Sequence, residues 1–209
     1  MPELQRELAL TRVAFLELKD EQRLVQEGFK LLDEKRILLA TEIQRQLIRL
    51  RALRKETNAA EDAARAALVA ALSCHGLDEL SVYPPLAASE DHLSVSSSRL
   101  LGLELIDARL GDTAGPQPAE PAVNPTPEAR ECALAHRRWL AFLVELASCC
   151  VNLRRLTREY VRTERRARAI ENILLPEIDS NLKRIDEQLE SIDQEEIARL
   201  RHRRAGGRT

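Results

Sequence analysis

Residues 15–53 read FLELKDEQRLVQEGFKLLDEKRILLATEIQRQLIRLRAL, and the spacing of their apolar side chains decides the fold. Steps of three and four select Phe15, Leu18, Gln22, Val25, Phe29, Leu32, Arg36, Leu39, Ile43, Gln46, Leu50 and Leu53. The same steps reach back through Thr11 to Leu8 and Leu4, and eleven of the fifteen positions are apolar. Near the other end the rule selects Phe142, Leu146, Cys149, Leu153, Leu156, Tyr160, Thr163, Ala167, Ile170 and Leu174. After one extra step of four it continues through Ile178, Leu182, Ile185, Leu189 and Ile192, with fourteen of fifteen positions apolar. A period near 3.5 residues keeps one seam turned toward a partner helix, so both stretches read as coiled coil.

The stripes run from residue 4 to 53 and from 142 to 192, nearly the same length. Folded back on each other they align Leu4 with Ile192 and Leu53 with Phe142. At about 1.5 Å per residue, fifty residues make a rod of roughly 75 Å. Each large aliphatic side chain buried along it contributes about 1.5–3 kcal/mol against the entropy of ordering two helices. Two parallel homodimeric coils around a globular middle are the competing arrangement, which leaves the matched lengths as coincidence. The expected fold is therefore mainly all-α: an antiparallel two-helix coiled coil of the terminal helices, with a small central helix/β-hairpin cap.

The composition suits a thin core. Of 209 residues, 32% are charged and 3% aromatic, with one Trp, two Tyr and three Phe. A net charge of −2 gives no global electrostatic case for nucleic acid or an anionic membrane. Cys74, Cys132, Cys149 and Cys150 show neither disulfide-framework nor zinc spacing, and read as buried reduced thiols. The first dozen residues are charged and lack an apolar signal core, and no stretch approaches eighteen uninterrupted apolar residues. A cytoplasmic protein without direct membrane insertion is expected.

Three segments follow: 1–73, the first long helix with an Ala-rich extension; 74–127, a central cap; and 128–209, the second long helix with a basic tail. Residues 59–73 (AAEDAARAALVAALS) are strong helix formers that extend the first helix or add a short one. In the cap, Tyr83-Pro84-Pro85 stops a helix, Ser94 to Ser98 is turn-like, and Leu101 to Ile106 alternates like a strand. Residues 111–127 hold five prolines and read as a linker. The second helix starts with Thr126 as N-cap and Pro127 as its first helical residue.

Chemistry of other kinds finds no footing. There is no Gly-x-x-x-x-Gly-Lys-Ser/Thr phosphate loop. His75, His92, His136 and His202 are scattered, and Asp91-His92, neighbours in a loop, lack a cleft to share. No catalytic residue, cofactor or metal site is expected. Three features remain. Arg154, Arg155, Arg158, Arg162, Arg165, Arg166 and Arg168 spread around a helix, reading first as a solvated face and then as a surface for an acidic protein. No aromatic residues interleave with them to stack bases, so nucleic acid is not an expected partner. Leu10, Leu24, Leu31 and Leu38 form a row off the seam; they mark a partner surface unless the Ala-rich segment packs on them. The extra step between Leu174 and Ile178, with Pro176 inside it, is a stutter that predicts a bend or change of twist near Gln22 on the facing helix.

Two blocks resemble the D subunit of V/A-type rotary ATPases. The first is Thr11-Arg12, Leu16, Leu18-Lys19, Gly28 and Leu31-Leu32-Asp33-Glu34-Lys35-Arg36. The second runs from Arg166 through Ala169-Ile170-Glu171-Asn172 to Leu175-Pro176. A third, Leu101-Gly102-Leu103-Glu104-Leu105, is similar to the family's central hydrophobic-Gly-hydrophobic strand. Arg168 stands where the family usually has Asn, and the proline-rich stretch is idiosyncratic. The resemblance covers essentially the whole chain. It implies a non-catalytic rotor subunit of the central stalk, coupling ATP hydrolysis or synthesis to proton or sodium-ion transport. The implied partners are the F subunit of the central stalk, a hexamer of catalytic A and non-catalytic B subunits, and the C/d-type adaptor that seats the shaft on the membrane ring. Its implied place is cytoplasmic, peripheral to the membrane. Partner contacts are expected at the leucine row, at Leu101 and Gly102, and at Arg201, Arg203 and Arg204 of the tail. A cytosolic coiled-coil tether without energy coupling is the alternative.

Overall fold

A computed structural model describes residues 11–81, 83, 93–111 and 126–206. Helix α1 spans Arg12–Ser81. Thr11 opens it: the Ala14 N–H donates to its Oγ1 at 3.2 Å, and the Phe15 N–H to its carbonyl at 3.1 Å. No proline interrupts the helix, so the Ala-rich stretch prolongs it as one element. Its regular path breaks at Gly76 (φ +70°, ψ 175°), a backbone conformation that a side chain would strain.

Strands β1 (Leu93–Leu100) and β2 (Leu103–Leu110) form an antiparallel hairpin, with Leu93 opposite Leu110 and Leu100 opposite Leu103. The connection is the pair Leu101-Gly102, with φ of +51° and +84°, the two positive values of a type I′ turn. The serines of 94–98 are thus strand, not turn. Ser94 and Ser96 satisfy their hydroxyls across the ladder, donating to the carbonyls of Arg109 and Asp107. That local pairing removes the usual reason serine favours turns. Leu101 and Gly102, expected within a strand, form the reversal instead.

Helix α2 spans Pro127–Ala169, with the Ala129 N–H directed at Thr126 Oγ1 at 3.4 Å and Pro127 in the first turn, where its missing N–H costs nothing. A π-helical turn, Ile170–Leu174, joins it to α3, Leu175–Gly206. The Leu175 N–H reaches back to the Ile170 carbonyl, one residue further than in an α-helix. Pro176 supplies the cause: it lacks an N–H, and its ring would meet the carbonyl four residues back in a regular helix. The stutter in the apolar spacing is therefore carried by a widened turn.

The chain divides into two compact units, Met1–Ile37 with Val161–Thr209, and Leu38–Tyr160. In the first, Leu18, Ile178 and Ile185 form a core flanked by Phe15, Val25, Leu182 and Leu189. Phe29, Leu32 and Ile170 are half-buried, as a seam shared by only two helices leaves them. In the second, Leu39, Leu105 and Leu156 form the core, with Ile43, Leu100, Leu103 and Tyr160 packed against it and Leu153 half-buried. The burial on α1 continues through Leu53, Thr57, Ala60, Ala64, Ala71 and His75, the same steps now filled by small residues. Leu18 shares a core with Ile178, and Gln46 meets Cys149, as the back-folded register requires. No described helix is long and apolar enough to cross a membrane.

Candidate partner-binding surfaces

The hairpin is fixed to the helices of its own unit by Leu105, Asn152, Arg155 and Arg49, of which Arg155 is read from the sequence only as part of a solvated arginine face. Leu105 points into the core beside Leu39 and Leu156. On the outward edge of β2, Asn152 of α2 makes a two-point clamp: its Nδ2 donates to the Ile106 carbonyl at 2.6 Å, and its Oδ1 accepts from the Ile106 N–H at 2.8 Å. Arg155, one turn on, donates to the Glu104 carbonyl at 2.7 Å. Arg49 of α1 bridges to Asp107 at 3.0 Å. Asn152 and Arg155 thus stand in for part of a third strand, taking up the Ile106 N–H and carbonyl and the Glu104 carbonyl that an edge otherwise leaves open. Asn152 flanks the seam, so no apolar period points to it; its one signal is an amide side chain between Val151 and Leu153 on a helix face that turns inward.

The same unit carries a buried polar layer. The Cys149 thiol lies 3.5 Å from the Gln46 Oε1, while the Gln46 amide donates to Glu42. Burial pushes the Cys149 thiol above the usual thiol range, with Arg49 pulling partly the other way. Burial likewise raises Cys132. All four thiols are free, but only Cys149 is buried, which corrects the expectation that all are: Cys132 is half-buried, and Cys74 and Cys150 are exposed, each facing away from the packed side of its helix.

In the other unit, polar contacts line the seam's margins. Arg12 grips Asp193 through both carboxylate oxygens, at 2.8 and 2.9 Å. Gln22 donates to Asp179 beside the π-turn, where the facing irregularities are expected to meet. Arg36 reaches Glu164 at 2.9 Å, and Arg168 reaches the same carboxylate at 2.8 Å. Hydrogen bonds from Arg36 first, and from Arg168, hold the Glu164 carboxyl below the usual glutamate range.

The expected contact residues lie at the surface. Leu24, Leu31 and Leu38 are 69%, 66% and 54% exposed, so no described part of the chain covers them. Leu10 lies outside the described residues. Leu101 and Gly102 are exposed at the hairpin tip. Arg201 and Arg203 are exposed on α3; Arg204 belongs to that helix, and its side chain lies outside the described residues. Asp91 and His92 also lie outside them. No group of three or more metal-ligating side chains occurs among the described residues.

The chain matches the family of ATP synthase D subunits over residues 14–205. It is 30% identical over 201 residues to the V-type ATP synthase D subunit of Anaeromyxobacter sp. (strain Fw109-5), covering 93% of this chain and 92% of that one. The A-type ATP synthase D subunit of Methanopyrus kandleri is 27% identical, with 91% of this chain and 83% of the relative aligned. For the V-type D subunit of Thermus thermophilus the figures are 28%, 91% and 85%.

Proposed function

Because the chain belongs to the family of ATP synthase D subunits, we propose that it is the rotor subunit of the central stalk in a V/A-type rotary ATPase. It is a non-catalytic subunit of that complex, and its role is mechanical. Segments 1–73 and 128–209 supply the shaft inside a hexamer of A and B subunits. Segment 74–127 supplies a lateral element, and the F subunit and a C/d-type adaptor link the shaft to the membrane ring. The observation that carries this reading is the match from residue 14 to 205, together with helices from both ends of the chain sharing a core at Leu18, Ile178 and Ile185. A torque-bearing element has to resist twisting. Helix pairs with interlocked side chains do so because any rotation of one helix past the other breaks packing along the seam.

The surface residues receive roles on the same reading. Leu24, Leu31 and Leu38 are an apolar face for a neighbouring subunit, and Arg201, Arg203 and Arg204 contact the hexamer. The chain works peripherally, on the cytoplasmic side. Reconstitution with A and B subunits tests the proposal: the chain copurifies with the hexamer, and a bead attached to it rotates during ATP hydrolysis. Reversing the three tail arginines to Glu lowers the ions moved per ATP. A chain that binds without rotating, and whose loss leaves coupling unchanged, is a tether and not a rotor.

A further inference from the structure

The two edges of the hairpin are treated differently. In the register of β1 and β2, Leu100 and Leu103 face across a two-residue turn and exchange hydrogen bonds, so Ser98, Ser96 and Ser94 direct their backbone groups toward β2. Leu93, Val95, Ser97 and Arg99 direct theirs away from it. Of the outward groups on β2, the Ile106 N–H and carbonyl and the Glu104 carbonyl are taken up by Asn152 and Arg155. Those on β1 have no backbone or side-chain partner among the described residues. Eight residues long, β1 has no proline, no bulge and no lysine to guard its edge, and Arg99 is its one charged side chain. The side chains that share this outward register, Leu93 and Val95, are more than half exposed. Arg99 makes no ion pair among the described residues, although Glu104 is its cross-strand neighbour.

We propose that the outer edge of β1 receives an extended segment of another subunit as a third strand. The added strand carries apolar side chains beside Leu93 and Val95 and a carboxylate beside Arg99. An open strand edge offers alternating N–H and C=O groups, which only an extended backbone can match, so a helix does not satisfy it. A second copy of this chain is the poorer occupant. The strand LSVSSSRL contains no acidic residue, so parallel self-pairing sets arginine against arginine and antiparallel self-pairing sets it against Leu93 or Val95. The inference rests on the chain being a subunit of the ATP synthase complex.

Residue-resolved amide hydrogen exchange tests it, on the full chain alone and within the reconstituted complex. Alone, the amides of Leu93, Val95, Ser97 and Arg99 exchange freely while those of Ser94, Ser96, Ser98 and Leu100 are protected. In the complex, the first set slows about tenfold or more, and the alternation disappears. Val95→Pro removes one outward donor and leaves the inward ladder whole. In that variant Ser97 and Arg99 lose their added protection, while Ser98 and Leu100 keep theirs. Outward amides that stay fast in an assembled complex overturn the inference and leave the subunit assignment standing. Outward amides already slow in the isolated chain overturn it too, whether a segment of the chain or, where protection rises with concentration, a second copy covers them. Failure to enter the complex overturns the assignment itself, and the inference with it.

Discussion

The unit Leu38–Tyr160 and the unit built from Met1–Ile37 and Val161–Thr209 follow one apolar spacing and consolidate it by different means. In the first, Leu39 and Leu156 are sealed by a hairpin residue, Leu105, and the hairpin is held by Asn152, Arg155 and Arg49. In the second, Leu18, Ile178 and Ile185 have, among the described residues, only flanking seam side chains packed around them, and carboxylates paired with Arg12, Gln22 and Arg36 mark the margins. Exposed ion pairs contribute about 0–1 kcal/mol each, less than one buried leucine. A helix pair gains more from a third element laid across it than from charges along its rim.

The largest expected effect separates the units directly. Leu156→Ala removes a fully buried side chain and is expected to cost about 2–5 kcal/mol. It also loosens Leu105, so amide exchange rises throughout Leu103–Leu110. Ile185→Ala, equally buried in the other unit, costs a similar amount in thermal or urea unfolding but leaves hairpin exchange unchanged. Equal hairpin exchange in both variants would break the contrast.

Asn152→Ala comes next. It strips the clamp from the Ile106 N–H and carbonyl, and about 1–3 kcal/mol is lost from hairpin docking, read as faster exchange at Ile106 with α2 intact. Leu101→Gly works in the opposite direction. It places a residue without a Cβ at φ +51° and is expected to stabilise the hairpin by about 0.5–1 kcal/mol. The smallest effect lies with Glu164. Its carboxyl titrates below the ordinary value of about 4.3, so the stability it lends is full above that pH and fades as pH falls through the lowered value. Glu164→Gln should lower the melting temperature slightly at pH 7, leave it unchanged where the carboxyl is already protonated, and so flatten that part of the acid unfolding curve.

What the sequence discloses follows from what repeats. The seam recurs every three or four residues, so Leu39, Leu156 and Ile185 can be read from spacing alone, and all three are fully buried. Thr126 and Pro127 are legible because capping depends on side chains next to the helix they open. The stutter is legible as a phase error, and Pro176 locates it. The hairpin's docking is not: Asn152 acts once, on Ile106, 46 residues away, and a single distant contact leaves no period. The serine run misleads because hydroxyl groups serve a turn or a strand equally well, and only the partner strand decides. The contact roles proposed for Leu24, Leu31, Leu38 and the tail arginines depend on neighbouring subunits, whose shape this chain does not encode.

The widened turn at Ile170–Leu174 acts as an indexing device. One additional residue in a helix rotates everything after it by about 100° around the axis. The compass heading of each side chain from Ile178 to Arg203 is therefore set by that single insertion. Removing one residue there, with Pro176 replaced, should re-aim Ile178 and Ile185 away from their packing partners without altering any amino acid beyond the junction.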